Sequence, residues 1–99
     1  MEMIKTQKDN ELNIALQGRL DTTTAPQLEE ELRTALSGIE KLVFDLKDLA
    51  YISSAGLRVL LSAQKTMNRQ GEMILRNVNE DIMEIFEVTG FVDILNIES

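Results

Sequence analysis

The residues with the most chemical interest in this chain are Ser53-Ser54-Ala55-Gly56. Small residues at a helix start leave the free backbone N–H groups and the positive end of the dipole open to an anion or a partner. A phosphate on a serine there adds about −1.5 to −2 charge beside donors that can receive it. The same residues also have a purely structural explanation, because Ser is a preferred N-cap and Gly permits close helix–sheet packing. Spacing alone leaves both open.

Other chemistry is limited by what is missing. The 99 residues include no His and no Cys. Disulfides, thiolate nucleophiles and a Ser-His-Asp triad are therefore excluded, as are the usual zinc and iron sites, and no metal or cofactor is expected. An enzyme would have to run on Ser, Lys, Tyr and carboxylates, and no pair of acids is compellingly placed. A binding module is expected instead. Asp45 ends a strand, as the phosphorylated Asp of a receiver domain does. A receiver also needs paired acids after its first strand, where this chain has Lys8-Asp9-Asn10.

Charge narrows the partner. With 10 basic and 17 acidic residues the net charge is −7. That argues against nucleic acid, which needs clustered cations, and against anionic lipid. The segment Met1-Glu2-Met3-Ile4-Lys5 has no signal-like apolar run, and nothing approaches the roughly 20 apolar residues of a membrane span. A soluble, cytoplasmic monomer is expected.

The elements that must position the serines can be read from periodicity and punctuation. Met3 to Thr6 and Leu12 to Leu16 are predicted as a hairpin of strands, with Leu12, Ile14 and Leu16 on one face. Thr24-Ala25-Pro26-Gln27 has the form of a capping box opening a helix that Gly38 ends. Leu42 to Leu46 is an apolar strand, followed by a loop from Lys47 to Ser53. A helix then runs from Ser54 to Gln70, with Leu57, Leu60, Leu61, Gln64 and Met67 inward. Met73 to Leu75 is a strand, Asn79 caps a third helix, and Val92 to Ile97 suits a short final strand. The fold class is α/β, a mainly parallel mixed sheet with an antiparallel N-terminal edge strand, in the order β-β-α-β-α-β-α-β.

Ligands of open α/β sheets gather beyond the carboxyl ends of the strands. Gly18 to Thr22, Asp48 to Gly56 and Arg76 to Asn79 reach that place. Asp21 is there either a recognition group near the serines or a turn-capping carboxylate. Tyr51 is either an exposed anchor or a loop residue docked on the core. Glu29-Glu30-Glu31 reads as a solvated helix face, and Met67, Met73 and Met83 as core filler.

Gly18-Arg19-Leu20-Asp21, Leu42-Val43-Phe44-Asp45-Leu46 and Tyr51-Ile52-Ser53-Ser54-Ala55-Gly56-Leu57 together resemble a STAS domain, and more narrowly the stand-alone bacterial anti-sigma factor antagonists. Gly71-Glu72-Met73 and Val88-Thr89-Gly90-Phe91 fit as well. The resemblance implies a single STAS domain over residues 1–99. It also implies a two-position switch. The unphosphorylated form binds an anti-sigma factor that is also a serine kinase. The kinase phosphorylates a serine at the start of the second helix, and a serine phosphatase restores the active form. Alignment on the Gly-Leu pair puts the acceptor at Ser54, with Ser53 second. The resemblance makes Asp21, Thr22, Ser53, Ser54, Ala55, Gly56 and Arg58 the partner-binding residues. Many family members have Asp before the acceptor, where this chain has Ser53, so a negative charge is lost there. The alternative is a constitutive scaffold subunit of a secretion, stressosome or lipid-transport complex, with Ser54 only an N-cap.

Overall fold

The computed structural model describes residues 1–98. Strands β1 (Glu2–Lys8) and β2 (Glu11–Leu20) form an antiparallel hairpin, turning at Asp9-Asn10 with Asp9 in the left-handed region at φ 56°. Helix α1 (Ala25–Ala35) leads to β3 (Lys41–Ile52), α2 (Ser54–Gln70) to β4 (Glu72–Arg76), and α3 (Glu80–Thr89) to a short 3-10 turn at Phe91–Asp93. The sheet order is β1-β2-β3-β4, with β2, β3 and β4 parallel. Two right-handed crossovers stepping in the same direction put α1 and α2 on one face of the sheet.

That face is the core. Leu12, Ile14 and Leu16 of β2, Leu42, Phe44 and Leu46 of β3, and Met73 and Leu75 of β4 are buried in one cluster. Leu28 and Leu32 of α1, Leu60 and Met67 of α2, and Ile82 and Phe86 of α3 belong to the same cluster. The alternation read in β2 and the apolar stripes read in the helices are the residues that fill it.

Three expectations are corrected. First, the segment read as a loop from Lys47 to Ser53 is strand as far as Ile52, and β2 likewise runs on through Gly18 and Arg19. The pairing of the two strands slips between Ala15 and Gln17 and again between Gly18 and Arg19. Such bulges carry Leu49 and Ile52 into the core at a spacing of three, which breaks the alternation that marks a strand. Second, the capping box does not form. The Thr24 hydroxyl donates to the Arg19 carbonyl, no side chain caps α1, and Asp21 fixes the turn before it. Third, the final strand is reduced to one parallel bridge between Leu75 and Ile97, made through Asn96 and Glu98 backbone groups.

Helix α2 has the predicted bounds, and its end is enforced by contact. A Cβ on Gly71 would lie 1.8 Å from the Glu40 carbonyl oxygen, so only glycine lets the chain leave α2 and enter β4 beside β3.

Candidate functional site

The carboxyl ends of β2 and β3 and the start of α2 meet at one end of the sheet. Arg19 pairs with Tyr51, Leu20 with Ile52, and the Ser53 N–H donates to the Leu20 carbonyl at 2.9 Å. This bond delivers the chain from strand to helix in a single residue.

The two serines have different jobs. Ser53 has extended backbone, and its Oγ accepts from the Gly56 N–H at 3.4 Å, which makes it the N-cap of α2. Its carbonyl accepts from the Leu57 N–H. Ser54 is the first helical residue and is exposed, and its hydroxyl has no hydrogen-bond partner among the described residues. The cap that the scaffold alternative gave to Ser54 thus belongs to Ser53. Ser caps a helix about as well as Asp, so Ser53 serves the cap without a charge.

Gly56 is buried beneath this turn. A Cβ there would lie 2.7 Å from Leu20 Cγ, and 2.8 Å from both Ile52 Cγ1 and the Leu20 carbonyl oxygen. Its role in the structure is close packing. Ala55 is half-buried and Arg58 exposed. With Thr22, Pro26 and Glu29 they line a shallow hollow of about 250 Å³ between the starts of α1 and α2. A larger groove of about 570 Å³, floored by Leu32, Leu36, Val59 and Ala63, lies farther along the same two helices.

Asp21 is the fixed point of the turn between β2 and α1. Its Oδ1 accepts from the Thr23 hydroxyl at 2.8 Å, the Thr23 N–H at 3.0 Å and the Thr24 N–H at 3.2 Å. These bonds, the Thr23 hydroxyl first, lower its pKa from 3.8 to about 2. These bonds make Asp21 a turn-fixing carboxylate. The sign of its pH effect follows, since a carboxylate with a lowered native pKa stabilises the fold while ionised. The contribution of Asp21 is expected to be complete above pH 3.8 and lost as pH falls through about 2. In an NMR titration its carboxyl carbon should have a midpoint near 2, and Thr23→Val should move that midpoint upward. A wild-type midpoint at 3.8 would mean that these bonds do not form.

Sequence reading passed over one feature of this site. The Arg19 guanidinium carbon lies 4.4 Å from the centroid of the Tyr51 ring. The signal was hidden because Arg19 and Tyr51 become neighbours only through the bulged register of β2 and β3. Asp45, weighed as a receiver acid, accepts from the Lys47 N–H and the Asn77 side chain at 3.0 Å each, which ties the end of β4 to β3.

Known proteins share this architecture. A Bordetella bronchiseptica protein named as an anti-sigma factor antagonist, BtrV, is 40% identical over 96 residues, spanning 95% of this chain and 83% of its own length. The anti-sigma-B factor antagonist of Bacillus subtilis is 32% identical over 94 residues, spanning 94% of this chain and 86% of its own. Among solved structures, the anti-sigma factor antagonist SpoIIAA in its unphosphorylated form superposes with a TM-score of 0.78 at 17% identity, covering 99% of this chain and 88% of its own. Its phosphorylated form superposes with a TM-score of 0.77 at 18% identity, covering 99% of this chain and 92% of its own. The STAS domain family matches residues 2–99, and the chain belongs to that family.

Proposed function

We propose that this protein is an anti-sigma factor antagonist that works as a phosphorylation switch in the cytoplasm. It acts by binding, not by catalysis. Unphosphorylated, it binds an anti-sigma factor that is also a serine kinase; phosphorylated on Ser54, it is released; a serine phosphatase resets it. The names of the relatives support the partner class. The observation that carries the switch is the division of labour between the serines, with Ser53 committed to the cap and Ser54 exposed and uncommitted. A kinase can take the Ser54 hydroxyl without unmaking the helix start.

The same helix start can accommodate the product. The Gly56 N–H is used by the cap and the Leu57 N–H by the Ser53 carbonyl. The N–H groups of Ser54 and Ala55 have no partner among the described residues. Phosphate at a helix N-terminus is favoured by these donors and by the dipole. The fold is expected to survive modification while the surface changes.

The test is phosphotransfer from the anti-sigma factor kinase of the same organism, followed by intact mass and fragmentation. Phosphate is expected on the wild type and on Ser53→Ala, and not on Ser54→Ala. Ser53→Ala should cost about 1 kcal/mol of stability, the worth of a helix cap. Phosphate on Ser53 would move the acceptor, and no transfer to any form would remove the switch.

A further inference from the structure

The proposed switch makes no use of the Arg19–Tyr51 pair. Leu20 and Ile52 point into the core and are 0% and 1% exposed. Arg19 and Tyr51 each precede one of them and pair across the two strands, so strand alternation carries both side chains to the opposite side of the sheet. The pair therefore lies at the ends of β2 and β3, on the side of the sheet away from the core.

The stack is held from two directions. The ring lies under the guanidinium, and Arg19 Nε sits 3.5 Å from Asp21 Oδ2. Asp21 is itself fixed by Thr23 and Thr24. The Arg19 side chain is nevertheless 61% exposed, and its terminal nitrogens have no hydrogen-bond partner among the described residues. A long side chain that is ordered before binding loses less entropy when a partner arrives. A stacked guanidinium with its fork free takes a planar carboxylate through two parallel bonds. Arg and Tyr are also the residue types that dominate interface energies.

We propose that the Arg19–Tyr51 stack is an anchor of the partner interface, where Arg19 receives a carboxylate that the anti-sigma factor presents beside the Ser54 turn. This rests on the function proposed above. The link between anchor and switch is covalent and short. Ser53 is hydrogen-bonded to Leu20, the residue after Arg19, and Tyr51 is three residues before Ser54. An anchor of this kind requires the partner that covers the Ser54 turn to reach the stack as well. The net charge of −7 argues against an extended polyanion as the occupant and leaves a single acidic side chain on a folded partner.

The experiment is calorimetric titration of the unphosphorylated protein into the purified anti-sigma factor kinase of the same organism. Arg19→Ala is expected to weaken binding by tens-fold and Arg19→Glu by more than a hundredfold. Arg19→Lys should fall between wild type and alanine, because it keeps the charge and loses the fork. Tyr51→Ala should lose less than Arg19→Ala, and the double variant should lose less than the product of the two, since Tyr51 acts by holding Arg19. An Asp or Glu of the partner changed to Arg should restore affinity for Arg19→Glu. Melting temperatures report whether each variant is folded, and Arg19→Lys remains as the probe if the glutamate variant is not. Wild type that binds while Arg19→Ala and Arg19→Glu bind within twofold of it overturns the anchor alone. Wild type that does not bind overturns the parent function, and the anchor with it.

Discussion

Ser54→Asp and Ser54→Glu are expected to lower affinity for the anti-sigma factor kinase by about a hundredfold or more, which corresponds to roughly 3 kcal/mol. Ser54→Ala is expected to bind constitutively. The magnitude follows from geometry. A kinase that reaches the Ser54 hydroxyl must close over the first turn of α2 and strip water from it. A carboxylate there then loses its water inside the contact, at a cost of several kcal/mol. In the free protein the sign is opposite. Ser54 is the first helical residue, where an acid interacts favourably with the helix dipole by about 0.3–1 kcal/mol. The acidic variants should therefore melt at or slightly above the wild-type temperature while failing to bind. Calorimetry and thermal unfolding on the same samples check both. Acidic variants that bind like wild type would leave Ser54 without a regulatory role, and variants that fail to bind because they are unfolded would place its role in the fold.

The order of elements and the helix that begins at Ser54 were legible because they depend on local signals. Leu57, Leu60, Gln64 and Met67 repeat at helical spacing, Ser53 is a strong cap, and Gly71 stops the helix against Glu40. The ends of β2 and β3 were not legible because a bulge is a property of two strands, not of one. Lys47 and Asp48 are consecutive exposed charges inside a strand, and Leu49 and Ile52 reach the core three residues apart. Either feature alone resembles a loop. The same bulged register brings Arg19 over Tyr51, so the error in the strand and the failure to see the stack have one cause. Thr24 was misassigned for a related reason. Its spacing to Gln27 fits a capping box, but Asp21 stands three residues earlier and fixes the turn before the helix by accepting from the Thr23 and Thr24 N–H groups, while the Thr24 hydroxyl binds the Arg19 carbonyl.

Ser53 and Ser54 show what a sequence can and cannot give. The motif names both hydroxyls and ranks neither by geometry. One dihedral change at the entrance to α2 separates them, with Ser53 extended and Ser54 already helical. The first is turned back to its own helix and the second outward to solvent.

Gly56→Ala is expected to destabilise the protein by about 1–3 kcal/mol, the usual range for overpacking a filled core. At about 4–8 °C per kcal/mol for a domain of this size, that is a readily measured drop in melting temperature. The direction is the informative part. In an ordinary helix interior, Gly→Ala gains about 1 kcal/mol of helix propensity. Here the added methyl meets Leu20 Cγ at 2.7 Å and Ile52 Cγ1 at 2.8 Å, both in side chains of the core. Its third neighbour, at 2.8 Å, is the Leu20 carbonyl oxygen, which accepts from the Ser53 N–H. Relief requires the start of α2 to lift from the sheet, and that lengthens the bond that sets Ser53 and Ser54 in place. Partner affinity should consequently fall along with stability, although Gly56 is buried. Thermal unfolding of Gly56→Ala beside a titration with the kinase tests the coupling. A variant as stable as wild type would mean that α2 does not seat against Leu20 and Ile52 this closely. A destabilised variant that still binds at full affinity would mean that the partner restores the helix start itself.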